Sequence, residues 1–237
     1  MDLKARRTVL AQVGLKAAAD GGRQTSEPHF SASYNLLFCD DLDLIRNTGD
    51  PAADEPWATL LSEETDLAAL AAIAESESEA SCARALAYSR LRSAGVGVAA
   101  KCVLAFIVEV PMEDGLEVLA AYSDGQVRYL HHSGETVTIE SPPPRIAALA
   151  ADLARSGDEI VDKVPPCERK RLPPPEDGRV RLTFLVSDGL YFCDGAFAEL
   201  QRDTVAGPLL RKATELLELI VEFGCAEDCA ARPFRSG

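Results

Sequence analysis

The chain has 237 residues, 47% of them hydrophobic and 26% charged, and a formal net charge of −14 at pH 7. That length suits one domain with a helical extension and a sizeable core. So acidic a chain repels phosphate backbones, which excludes nucleic acid as a default partner. No run approaches the roughly 20 apolar residues of a membrane helix, so no membrane association is expected either.

The acidity reads as solubility or, more sharply, as complementarity to a basic partner protein. Lys4, Arg6, Arg7 and Lys16 are scattered around Leu3, Leu10, Val13 and Ala17, whose spacing predicts a surface helix over 3–19. Asp2 and the scattered charges argue against a secretory leader, and a targeting role for residues 1–20 stays open. The cysteine count is odd, at seven, and the positions are dispersed. They read as reduced thiols in a cytosol.

Beyond a polar loop at 21–33, Tyr34-Asn35-Leu36-Leu37-Phe38-Cys39 is a compact apolar segment, helix or short buried stretch. Asp40, Asp41 and Asp43 follow it and read as a helix start or solvated turn. Asn47-Thr48-Gly49-Asp50-Pro51 is a break. Residues 62–94 carry two apolar stripes, Leu67, Leu70, Ala71, Ala74 and Cys82, Ala85, Leu86. They predict a helical hairpin or one interrupted helix, with Ser76 and Glu79 spaced as a capping box between the stripes. Ala94-Gly95 ends the region.

Asp114-Gly115, Asp124-Gly125 and Ser133-Gly134 punctuate residues 102–140 about every ten positions, the spacing of tight hairpin turns. They predict a four-strand antiparallel meander. Its first strand is apolar on both faces, Val103, Ala105 and Ile107 against Leu104, Phe106 and Val108, and closes at Glu109. Amphipathicity grows toward the fourth strand, which places that strand nearest a sheet edge.

Ser141-Pro142-Pro143-Pro144 opens a helix with Ile146, Leu149, Ala150 and Leu153 on its buried stripe. A Pro-rich connector over 165–178 is expected to be exposed. A hairpin follows, Val180 to Val186 and Leu190 to Cys193, and then a helix from about Gly207-Pro208 to Phe223. Strands segregated from helices give an α+β two-layer sandwich of about six antiparallel strands, preceded by N-terminal helices. The organisation is an N-terminal helix and loop over 1–33, a single α+β domain over 34–224 and a flexible tail over 225–237.

Chemistry-bearing residues are sparse. Adjacent strand residues point to opposite faces, so His131 and His132 are poorly placed to hold one metal ion. Cys225 and Cys229 supply at most half a tetrahedral site. No cofactor, no metal ligands and no catalytic residues are assigned. The binding candidates are Tyr129 and His131, with Arg169, Lys170 and Arg171, the basic cluster of the connector.

Leu36-Leu37-Phe38-Cys39-Asp40-Asp41, Val108-Glu109-Val110 through Leu116-Glu117-Val118-Leu119-Ala120-Ala121-Tyr122-Ser123-Asp124-Gly125, Arg128-Tyr129-Leu130-His131-His132-Ser133-Gly134 and Ala206-Gly207-Pro208-Leu209-Leu210 resemble segments of an uncharacterised family of bacterial proteins. The resemblance covers about residues 34–223. It implies one continuous domain of bacterial cytosolic origin. It brings no activity, so no site residue comes from it. Thr136 and Thr138 depart from its bulkier apolar pattern.

The expectation is a non-catalytic cytoplasmic protein, an adaptor or an immunity or antitoxin-like protein, that docks another protein through a sheet face or edge. The alternative is a small-molecule sensor or an enzyme with a site assembled from dispersed residues such as Cys39, Asp40, Tyr129 and His131.

Overall fold

The computed structural model describes residues 32–46, 54–98, 100–167 and 172–231. The helix expected over 3–19, the break at 47–51 and the cluster Arg169-Lys170-Arg171 lie outside them. Six antiparallel strands form one sheet: β1 (Val103–Met112), β2 (Gly115–Tyr122), β3 (Val127–Leu130), β4 (Thr136–Ile139), β5 (Arg179–Val186) and β6 (Gly189–Ala196). Their order is β4-β3-β2-β1-β5-β6. Tight turns lay the meander out on one side of β1, and the later hairpin returns on its other side. The strand apolar on both faces thus becomes central, and the most amphipathic strand becomes an edge.

Among the described residues five helices precede the sheet: α1 (Ala32–Phe38), α2 (Leu42–Arg46), α3 (Trp57–Leu61), α4 (Leu67–Glu75) and α5 (Ser81–Ser93). Between β4 and β5 lie α6 (Pro144–Arg155) and α7 (Asp158–Val161), and after β6 come α8 (Phe197–Leu200) and α9 (Ala206–Ala231). The later helices cover one face, where Phe106, Leu119, Phe184, Ile146, Leu153 and Leu216 are buried together. The preceding helices cover the other face with Phe38, Leu60, Leu70 and Leu86 against Ile107 and Tyr122. The α+β architecture therefore has helices on both faces, and the helices before the sheet add a third layer. Among the described residues no helix is long and apolar enough to cross a membrane.

Strand β1 departs from simple alternation. Its pairing with β5 slips between Val103 and Ala105. One extra residue in a strand shifts every earlier side chain to the opposite face. Val103 consequently joins Phe106 and Val108 in one core, and Leu104 joins Ala105 and Ile107 in the other. Alternation counted straight through Val103 and Leu104 assigns those two to the wrong faces.

Two of the three turns have the conformation their glycines predict, with Gly125 and Gly134 both at φ +90°, whereas Gly115 is at +158°. Gly125 is further constrained because a Cβ there would lie 3.0 Å from the Ala147 Cβ, against α6. The capping differs from the sequence reading. Ser76 terminates α4 instead of opening α5, and the Glu79 amide donates to the Ser76 backbone carbonyl at 3.2 Å. The first amide of α5, Ser81 N, donates to Asp124 Oδ2 at 2.7 Å. A carboxylate from the β2–β3 turn thus satisfies an orphan donor of a helix more than forty residues earlier. Asp66 caps α4, accepting from the Ala68 and Ala69 amides at 3.0 Å each.

Two further expectations are corrected. The connector is not wholly exposed, since Cys167 N donates to Leu190 O at 2.7 Å as an isolated bridge on β6 and Pro175 is buried. The final helix does not stop at Phe223; its backbone continues to Ala231, into the segment expected to be a flexible tail. The apolar segment before Cys39 is a helix, and Cys39 ends it at φ +47°. Asp41 Oδ1 accepts from the Asp43 amide at 3.0 Å and starts α2.

Candidate functional site

The polar side chains singled out in the sequence fall on two faces of the sheet. Tyr129 shares a core with Leu119, and its cross-strand neighbour places His131 beyond it on the same side as Glu117. Cys39 is buried in the opposite core. The dispersed set Cys39, Asp40, Tyr129 and His131 therefore does not converge. Arg169, Lys170 and Arg171 are outside the described residues.

His131 and His132 do come together, against the expectation from alternation. Strand β3 ends at Leu130, so the two histidines sit in the turn and escape the pleat. Their rings lie 3.8 Å apart, centroid to centroid. His132 Nδ1 is 2.9 Å from Glu117 Oε1 and His131 Nε2 is 3.8 Å from the same oxygen. A Cβ at Gly115 would stand 2.5 Å from the His132 carbonyl oxygen, so the glycine lets the His132 backbone settle onto the β1–β2 turn beside Glu117. Asp114-Gly115 was readable as a turn, but not as the seat of a histidine from the next hairpin.

Glu117 is buried, and its ion pairs among the described residues are with these two imidazoles. The Tyr129 hydroxyl is buried nearby and makes no hydrogen bond of ordinary geometry among the described residues. Burial, reinforced by the neighbouring Glu117 charge, pushes the phenol far above its usual pKa.

On the opposite face, Arg128 joins two buried thiols. Its guanidinium lies 3.6 Å from Cys39 Sγ and 3.3 Å from Cys82 Sγ, and it donates to the Leu36 carbonyl at 2.6 Å. It also lies 5.4 Å from the centre of the Tyr122 ring. The Cys82 thiol is pulled down to about 7 by its hydrogen bond with Cys39 and then by Arg128. Cys39, interacting with Cys82 and fully buried, is pushed up, and its thiol donates to the Leu36 carbonyl at 3.0 Å. Buried thiols out of reach of solvent are poor nucleophiles, so the group reads as a packed internal ion pair.

That pair predicts a pH dependence. A depressed acid stabilises the fold fully above its unfolded pKa and loses that contribution as pH falls through its folded pKa. Cys82 should therefore add stability between pH about 7 and about 8.5, the ordinary thiol value. Cys39, with its raised pKa, should take stability away above about 8.5. In thermal unfolding across this range, the midpoint is expected to climb toward the ordinary thiol pKa and then decline. Cys82→Ala should flatten the climb whatever its own melting temperature.

A groove of about 420 Å³ lies beside edge strand β4. Leu36, Ile45, Trp57 and Leu61 wall it, with Thr136 and Thr138 on the strand side. Arg46 and Arg128 contribute guanidinium groups and Glu140 a carboxylate. The edge beside it can be read from hydrogen-bond alternation. His131 N donates to Glu135 O at 2.8 Å, which marks a hydrogen-bonded pair at the turn. Every second pair then bonds, so Tyr129 and Val137 exchange bonds across β3 and β4. The backbone groups of Thr136 and Thr138 consequently face the outer edge, which pairs with no strand among the described residues. The sequence signalled an edge here, but a groove walled by residues 36–61 depends on tertiary packing.

No protein-family model matches the chain, and no curated protein matches it.

Proposed function

We propose that this chain is a non-catalytic protein-binding protein that receives an extended segment of its partner along the β4 edge. The observation that carries the reading is the outward backbone of Thr136 and Thr138 next to an apolar groove. An added strand gains main-chain hydrogen bonds from such an edge, and its alternate side chains reach the adjacent groove. Trp57, an amphipathic aromatic on the groove wall, suits an anchoring contact.

The groove also refines the partner's chemistry. Two guanidiniums face one carboxylate there, although the whole chain is acidic. The matching segment alternates apolar side chains and carries an acidic one near Arg46, whereas net charge alone pointed to a basic partner. The reading of a sensor or enzyme built from Cys39, Asp40, Tyr129 and His131 is disfavoured because the sheet separates them.

Selection of a random-peptide display library on the full chain tests this. Enriched peptides should alternate apolar residues and include an acidic one. Thr138→Pro deletes an outward amide and no ladder bond, so it should weaken the selected peptides roughly tenfold, the value of one or two lost hydrogen bonds. Trp57→Ala should weaken them through the groove. Unchanged binding to a normally melting Thr138→Pro variant and to Trp57→Ala would sink the proposal.

A further inference from the structure

The geometry points to a divalent metal site formed by Glu117, His131 and His132, selective for a borderline cation such as zinc and independent of the β4 edge. One possible ligand atom from each of Glu117, His131 and His132 lies within 4.8 Å of those of the other two. The carboxylate oxygen is 2.9 Å from one imidazole nitrogen and 3.8 Å from the other. Ligand atoms around a tetrahedral zinc ion, each about 2.0 Å from it, stand about 3.3 Å apart. The observed separations straddle that value, so small ring movements suffice to close three ligands on one ion.

Three further features suit a cation. Glu117 is buried, with 6% of its side chain exposed, and among the described residues no lysine or arginine pairs with it. A buried carboxylate without a permanent counter-charge is costly, and a bound cation supplies one. The imidazoles are partly accessible, with 19% and 25% side-chain exposure, which leaves a route of entry. His131 Nδ1 lies 2.8 Å from Ser133 Oγ and 3.3 Å from the Ser133 amide. The amide donates to that nitrogen at the longer distance; with Nε2 bound to a cation, Nδ1 would carry the hydrogen, give up the amide contact and donate to the hydroxyl, an outer hydrogen bond of the kind common behind metal-bound histidines.

Two imidazoles and a carboxylate are an oxygen and nitrogen donor set that leaves a coordination position for water. The Tyr129 hydroxyl lies buried beside this set without an ordinary hydrogen bond among the described residues. Its position suits a hydrogen-bond donor toward Glu117 and not a ligand. The competing explanation is a simple pair between a carboxylate and protonated imidazole, which would need no metal.

Titration of the full chain with zinc in competition with a chromogenic chelator separates the two. One tight equivalent is expected. The isosteric Glu117→Gln and His132→Ala should each weaken it roughly tenfold or more, and Ser133→Ala should weaken it less. Cobalt substitution should give visible d–d bands without intense near-ultraviolet thiolate bands, which distinguishes this site from the cysteines. Absence of a tight equivalent, or zinc binding unaltered in both Glu117→Gln and His132→Ala, overturns the assignment. So does a cobalt spectrum dominated by thiolate charge transfer.

Discussion

Arg181→Met is expected to cost about 3–5 kcal/mol of stability, because it removes a buried cation that pairs with the carboxylates of both Glu109 and Asp194. Glu109, Arg181 and Asp194 stand in register across β1, β5 and β6. Arg181 Nη1 lies 3.7 Å from Glu109 Oε2, and its Nη2 lies 3.2 Å from Asp194 Oδ2. The same guanidinium donates to the Pro173 carbonyl at 2.7 Å, tying the connector to the sheet. Glu109 is 1% exposed and also accepts from the Tyr34 hydroxyl at 2.8 Å, which brings in α1. Denaturant unfolding of Arg181→Met should show the loss. Adding Glu109→Leu should recover much of it, since replacing both members of the pair by apolar groups costs less than removing one of them. A single variant with wild-type stability would show that the network contributes nothing to the fold.

Phe106→Ala is expected to cost about 3–5 kcal/mol, the transfer term of a buried phenyl ring plus the cavity it leaves. Phe106 is fully buried in the central strand, with its ring 5.2 Å from that of Phe184 at an interplanar angle of 54°. The site cannot collapse easily. A Cβ at Gly157 would lie 2.5 Å from Phe184 Cδ1, so the helix layer already presses on the neighbouring ring. A loss of that size consumes much of the roughly 5–15 kcal/mol available to an ordinary domain. Val205→Ala, at a side chain 52% exposed, should stay within about 0.5 kcal/mol. Equal thermal midpoints for Phe106→Ala and Val205→Ala would contradict the placement of β1 at the centre.

The order of strands within the meander and within the later hairpin was legible because turn chemistry is local, whereas the pairing of β5 with β1 was not. Asp124-Gly125 and Ser133-Gly134 specify tight hairpins, and hairpins specify neighbours. The edge position of β4 followed from its alternation. What the sequence concealed was set by register or by distant contacts. The extra residue in β1 moved Val103 and Leu104 between cores, and no propensity marks a bulge in a uniformly apolar run. Glu109 looked like the end of that run, yet it is buried mid-strand because Arg181 and Tyr34 arrive from elsewhere to satisfy it. Asp124 read only as a turn residue, although its carboxylate also caps α5. Extending β3 by two residues, through His131 and His132, puts the two histidines on opposite faces. The strand ends at Leu130, and Glu117 from β2 meets both rings. The groove beside β4 was invisible because its walls come from α1, α2 and α3, whose placement is decided by packing.

Amide hydrogen exchange at Thr136 and Thr138, with and without a selected peptide, tests the β4 docking edge most directly. In the free chain these two outward amides should exchange quickly, while those of Tyr129 and Val137 in the ladder stay protected. Bound peptide should slow exchange at Thr136 and Thr138 in particular. Protection confined to β6 or to the helices, with these two amides unchanged, would contradict strand addition at β4.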